Sequence, residues 1–133
     1  MQIGDAARRS GVSTKMIRHY ESIGLVEAAA RRDSNYRDYG RDDVHRFGFI
    51  RRARDLGFSI AEIRNLLLLW DDRHRSSADV KAMTLNHIAD LDGKIALLTE
   101  MRTTLQSLAA SCDGNHRAHC PIIDSLAGEA LGT

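Results

Sequence analysis

Apolar positions near the start of the chain recur at helical spacing in two short blocks separated by one glycine. In "IGDAARRSG", Ile3, Ala6, Ala7 and Ser10 share a face, and Gly11 supplies the left-handed backbone of a tight turn. In "VSTKMIRHYESIG", Ser13 is the expected N-cap and Met16, Ile17 and Tyr20 face inward. Gly24 ends that helix, with Leu25 packing behind it. Helix, turn, helix at this spacing is the pattern of a DNA-reading pair. The outer face of the second helix carries Thr14, Lys15, Arg18 and His19. A solvated polar face is the bland reading of those four residues, and the motif geometry favours DNA contact over it.

The pattern then changes. Residues 28–44, "AAARRDSNYRDYGRDDV", combine turn chemistry with alternating aromatics and predict a small β-hairpin, or wing. Arg31, Arg32 and Arg37 offer phosphate donors there, and Tyr36 and Tyr39 a groove-edge stack. Helical periodicity returns from about Asp42 to Leu56, with Val44, Phe47, Phe49 and Ile50 inward and Gly57 as the stop. Ser59-x-x-Glu62 is a capping box opening a helix whose stripe is Ile60, Ile63, Leu66, Leu67 and Trp70, with Trp70 read as core.

A charged connector follows, in which Ser76 or Ser77 can cap the next helix. From about Ala78 to Ala110 there is no proline and one glycine. With Ile88 at heptad position a, Ile95 is the next a, and Leu91, Leu98 and Leu105 fall at d; Met101 and Leu108 widen the stripe. A helix of that length spans roughly 50 Å, too long to pack along so small a lobe, so its expected partner is a second copy of itself. Pro121, the only proline, sits at the first position of a short final helix, which places Cys120 at its N-cap.

Composition adds three points. Charged residues make up 28% of the 133 and hydrophobic ones 43%, and the longest apolar run is "LLLLW" at 66–70, so no membrane span is expected. The first residues lack the apolar stretch of a signal peptide, so the expected location is the cytoplasm, where a structural disulfide is disfavoured. The net charge of +1 hides an asymmetry: 12 basic and 8 acidic residues up to Gly57, 7 and 10 after it. A basic front half is what contact with a polyanion requires. No Ser/His/Asp constellation, P-loop or glycine-rich nucleotide motif is present, which argues against an enzyme.

The remaining chemistry lies in "SCDGNHRAHCPII", which holds both cysteines. Two thiols per chain do not make an iron–sulfur site, which usually needs four. A reversible thiol switch stays open. So does zinc held by Cys112, His116, His119 and Cys120, although adjacent His119 and Cys120 are an awkward pair for one tetrahedron. The favoured reading leaves both histidines solvated. Two soft sulfurs without a third ligand then suit a monovalent ion, Cu(I), Ag(I) or Au(I). Two thiolates and one such ion carry net negative charge, which the N-terminus of the final helix favours. Lys81, one turn past Ser77, could add positive charge across a dimer, or be an ordinary solvated residue.

"IGDAARRSGVSTKMIRHYESIGL", "NYRDY", "LGFSIAEI" and the cysteine loop together resemble the MerR family of transcriptional regulators, and within it the copper-efflux-regulator branch. The resemblance implies a mainly α fold. A winged helix-turn-helix lobe over 1–70 and a connector over 71–77 lead into a dimerisation helix over 78–110, paired as an antiparallel coiled coil. A metal-binding loop with a short helix occupies 111–133. It also implies a homodimer on double-stranded promoter DNA that underwinds an overlong spacer so that RNA polymerase engages both promoter elements. Lys15, Arg18, Tyr20, Tyr36 and Arg37 match DNA-contact positions, and Arg54 adds a phosphate contact. Cys112 and Cys120 match the metal thiolates. Ser77 stands where relatives sensing divalent ions carry cysteine. Four positions depart from the pattern: His19 where an aromatic such as Phe is common, His116 and His119 in the loop, and Asp113 in place of a frequent proline.

Overall fold

The computed structural model describes residues 1–28, 37–116 and 118–128. Among the described residues six helices appear in order: α1 (Ile3–Ser10), α2 (Thr14–Ser22), α3 (Arg41–Asp55), α4 (Ile60–Asp71), α5 (Ser77–Ser111) and α6 (Pro121–Leu126). Two compact units divide the chain, Met1–Val80 and Lys81–Thr133.

In the first unit the local signals act where the pattern places them. Gly11 takes φ 76° and donates its N–H to Ala7 O at 2.9 Å, closing α1. The Ser13 hydroxyl accepts from Met16 N at 3.2 Å and starts α2. Gly24, at φ 70°, reverses the chain so that Leu25 N reaches Tyr20 O at 2.9 Å. Ser59 and Glu62 exchange both bonds of a capping box, Glu62 N to Ser59 Oγ at 3.2 Å and Ser59 N to Glu62 Oε1 at 2.9 Å.

These helices enclose one core. Ala6, Ile17, Tyr20, Leu25, Tyr39, Phe47, Ile50, Ala53, Ile63 and Leu67 are all buried. Its polar edge is tied by Tyr39, whose N–H donates to Met1 O at 2.8 Å and whose hydroxyl donates to Glu21 Oε1 at 2.8 Å. Burial and the Glu21 bond raise the Tyr39 pKa above its ordinary value.

Two expectations change here. Trp70, read as core, is 39% exposed. Its ring stacks on Phe49 with centroids 4.7 Å apart, and the Arg46 guanidinium lies 5.5 Å from the ring centre while also pairing with Asp71. An indole so placed gains from stacking and from a cation on its face without full burial. The wing residues Arg31, Arg32 and Tyr36 lie outside the described residues. Arg37 forms an isolated β-bridge, and the described residues contain no longer strand.

The second unit holds most of α5. Its apolar residues stand in solvent in the single chain: Ile88, Ile95, Leu98, Met101 and Leu105 are all exposed, and Leu91 is half-buried. No helix among the described residues is long and apolar enough to cross a membrane.

Candidate nucleic-acid interface and metal centre

The candidate DNA-reading face on α2 follows from the geometry of a nine-residue helix capped by Ser13. Ile17 and Tyr20 point into the core, so Lys15, Arg18 and His19 emerge into solvent and Thr14 sits half-buried at the first turn. Tyr20 needs a correction as a direct contact. Its side chain is buried at 3% exposure, and its hydroxyl accepts from Arg54 Nη1 at 2.9 Å. The ring therefore serves the core, and the hydroxyl steadies Arg54 at the rim of a cleft of about 320 Å³ that Gly11, Ser13 and Arg51 also line.

Arg37 is likewise partly engaged within the protein. It pairs with Glu21, whose side chain is almost fully buried. Hydrogen bonding with Tyr39 and the Glu21 carboxylate hold the Arg37 pKa above its ordinary value. The basic surplus of the front half is thus divided. Lys15 and Arg18 face solvent, while Arg37, Arg46, Arg51 and Arg54 each bond to groups of their own chain, as Arg64 does beyond Gly57. Sequence reasoning missed Arg51 and Arg64 because their partners, Ser10 O and the Ile23 and Gly24 carbonyls, lie 40 or 41 residues away and leave no periodic trace.

The cysteine loop begins where α5 ends. Cys112 N bonds to Ala109 O at 3.2 Å and prolongs the last turn, and Gly114, at φ 64°, lets the chain turn back. Cys120 then takes extended backbone as the N-cap of α6, with Pro121 at the first helical position. The two Sγ atoms lie 3.9 Å apart, both residues half-buried, and no disulfide joins them. The Cys120 Sγ closes no capping bond, yet the N–H groups of Ile123 and then Ile122, with the Cys112 thiol, hold its pKa below the ordinary thiol value. Partial burial and the Asp124 carboxylate act the other way.

With the ~2.3 Å zinc–thiolate bond as a yardstick, sulfurs ~3.8 Å apart subtend a tetrahedral angle at one ion and ~4.6 Å a straight line. The observed 3.9 Å lets both sulfurs reach a single ion and lies nearer the tetrahedral separation than the linear one. His119 turns to Asp124, Nδ1 to Oδ2 at 3.5 Å, and stays largely exposed, as does His116. Among the described residues, no His, Cys, Asp or Glu ligand atom joins the two sulfurs in a cluster within 4.8 Å. Ser77 opens α5 and Lys81 follows one turn later, both exposed.

A capped helix-turn-helix head, a long helix with an open apolar seam and a two-cysteine loop define a DNA-binding transcriptional regulator. Residues 1–69 match the model of the MerR HTH family regulatory proteins, and residues 44–108 that described as MerR, DNA binding. The chain belongs to the MerR family, which is one of regulators and not of enzymes. It is 57% identical over 127 residues to heavy metal-dependent transcription regulator 2 of Rhizobium meliloti (strain 1021), covering 96% of this chain and 86% of that protein. It is 41% identical over 128 residues to the HTH-type transcriptional regulator CueR of Salmonella typhimurium (strain LT2), covering 96% and 93%. Among solved structures, the transcription regulator PbrR691 of Ralstonia metallidurans CH34 in complex with lead(II) superposes with TM-score 0.82 at 34% identity, covering 95% of this chain and 98% of that one.

Proposed function

We propose that this regulator is a homodimeric activator that reads promoter DNA through α2 and the wing and responds to one monovalent soft ion, Cu(I), Ag(I) or Au(I), per loop. The observation that carries the reading is that, among the described residues, no third His, Cys, Asp or Glu ligand atom gathers around two cysteine sulfurs close enough to share one ion. Soft, low-coordinate monovalent ions are satisfied by two thiolates, whereas a divalent ion such as Zn(II) asks for more ligands. Two thiolates and one monovalent ion retain a negative charge, which the amides at the start of α6 favour. A divalent ion would leave a neutral site there, so charge and coordination select in the same direction. Similarity to CueR over 96% of the chain supports the same choice.

On the DNA side, Lys15 and Arg18 are the exposed cations best placed on α2. Thr14 and His19 border them, Arg54 supplies a phosphate contact from α3, and Arg31, Tyr36 and Arg37 serve the wing. The α5 seam of Ile88, Leu91, Ile95, Leu98 and Leu105 joins two copies as an antiparallel coiled coil. Such a pairing brings the loop of one copy to the Ser77 end of the other, with Lys81 near, so ordering a loop around an ion shifts the opposite reading head. The dimer then underwinds the promoter spacer for RNA polymerase. In this reading the chain is organised as a DNA-binding lobe over 1–70, a connector over 71–77, a dimerisation helix over 78–110 and a sensing segment over 111–133.

Anaerobic titration of the reduced protein tests the centre. One Cu(I) or Ag(I) should bind per chain, and Cys112→Ser or Cys120→Ser should abolish binding and induction while sparing DNA affinity. Ser77→Cys should add a third thiolate and extend the response to Zn(II) and Hg(II). Stoichiometric Zn(II) binding by the wild type, with induction, would replace the monovalent reading by a divalent one.

A further inference from the structure

Two arginines that the DNA-contact pattern does not use clasp the reading head from behind. Arg51, on α3, donates from Nε to Ser10 O at 3.0 Å. Ser10 is the last residue of α1, so this carbonyl is one of the four that a helix end leaves without an internal partner. A second donor of Arg51, Nη1, lies 3.7 Å from Asp55 Oδ2, which holds the guanidinium in place. The side chain runs directly over the turn: a Cβ added at Gly11 would lie 2.9 Å from Arg51 Nε and 3.1 Å from its Cδ. Glycine at 11 is favoured by φ 76°, and a side chain there would also displace the arginine packed across the turn.

Arg64, on α4, repeats the arrangement at the next helix. Its Nη1 donates to Gly24 O at 3.0 Å and its Nη2 to Ile23 O at 3.1 Å, a forked grip on the carbonyls that follow α2. Both helices of the head thus end on a guanidinium from the second helical pair. Each cation sits at the negative end of a helix dipole, where positive charge is stabilising. Helix α2 is short, nine residues, so its angle to the rest of the lobe is set by what holds its two ends.

We propose that Arg51 and Arg64 are positioning residues that fix the pose of α2 by capping α1 and α2 from α3 and α4, without themselves contacting DNA. The inference rests on α2 being the reading helix. It assigns to these arginines a task that charge alone does not perform, since Arg64 forks onto two carbonyls and Arg51 reaches one through Nε, geometries a lysine cannot reproduce.

The test uses the full-length protein with four substitutions, Arg51→Lys, Arg51→Gln, Arg64→Lys and Arg64→Gln. Lysine keeps the charge and loses the planar guanidinium, and glutamine loses both. If the arginines are clasps, lysine and glutamine should each weaken promoter binding about tenfold, the size of a lost charge-assisted bond. The salt slope should stay at its wild-type value. In the DNA-free protein, amide exchange at Gly11 and Leu25 should accelerate, because those N–H groups close the two helix ends.

If instead lysine preserves affinity while glutamine lowers the slope by ~0.9 per lost phosphate, the residue contacts DNA and the proposal is overturned. Wild-type exchange rates in all four variants would overturn it equally. A wild-type chain that binds no promoter DNA would defeat the reading of α2, while the exchange measurement would still decide whether the clasp exists.

Discussion

The two units of this chain use apolar residues in opposite ways. In the first, Ile17, Ile50 and Ile63 are fully buried, each surrounded by neighbours from other helices. In the second, Ile95 and Leu98 stand 61% and 62% exposed along a helix of 35 residues. The residue types are alike and the helical periodicity is alike, but only one set is closed by its own chain. Burial of one such side chain is worth roughly 1.5–3 kcal/mol, and the first unit collects that several times over. A long helix in water gains little without a packed face. The difference teaches that the first unit is a folding unit, while the second is one half of an interface whose other half is a second copy.

The largest effect is expected at the open seam. Ile95→Asp should dissociate the dimer, because each copy loses apolar burial and places a charge in the seam, a cost on the order of 5 kcal/mol per dimer. Sedimentation at low concentration reads this directly, and an Ile95→Asp protein that stays dimeric would break the contrast between the units. Next comes the closed core. Phe47→Ala should cost about 3–5 kcal/mol, because the ring is almost fully buried against Tyr39, their centroids 5.9 Å apart. The loss should appear in the melting of the first unit, and a change in dimer affinity larger than the change in stability would count against its independence. The smallest effect is local. Ser59→Ala removes the hydroxyl that accepts from Glu62 N and should cost roughly 0.5–2 kcal/mol with no effect on metal stoichiometry. Thermal unfolding of the dimer, with and without Ag(I), separates this cap from the cysteine loop.

Local features were legible because their causes are local. A residue at φ > 0 wants glycine, a helix start wants Ser or Thr, and a first turn accepts proline. Gly11, Ser13, Gly24, Ser59 and Pro121 each announced a boundary within a residue or two of where it lies. Tyr20 was read as both inward and DNA-facing, and the structure separates the two roles by burying the ring and leaving the hydroxyl to Arg54. Trp70 could not be placed by periodicity, since stacking on Phe49 under Arg46 satisfies it at a half-open edge. The arginines were the hardest to read. A count of basic residues shows a surplus, but pairing with Glu21, Asp71, Ser10 O or Gly24 O depends on chain segments 16 to 41 residues apart.

By itself, then, the sequence determined the helices, their caps, the open seam on α5 and the pair of cysteines in the loop, because each depends on residue type at fixed short spacing. Tertiary structure decided what the same residues face. It brought the two sulfurs to 3.9 Å, turned His119 away to Asp124, and divided the arginines between solvent and the carbonyl ends of neighbouring helices. The physical reason is range. Propensity and capping act within one turn of chain, while coordination and charge pairing act through space and take their partners from wherever packing delivers them.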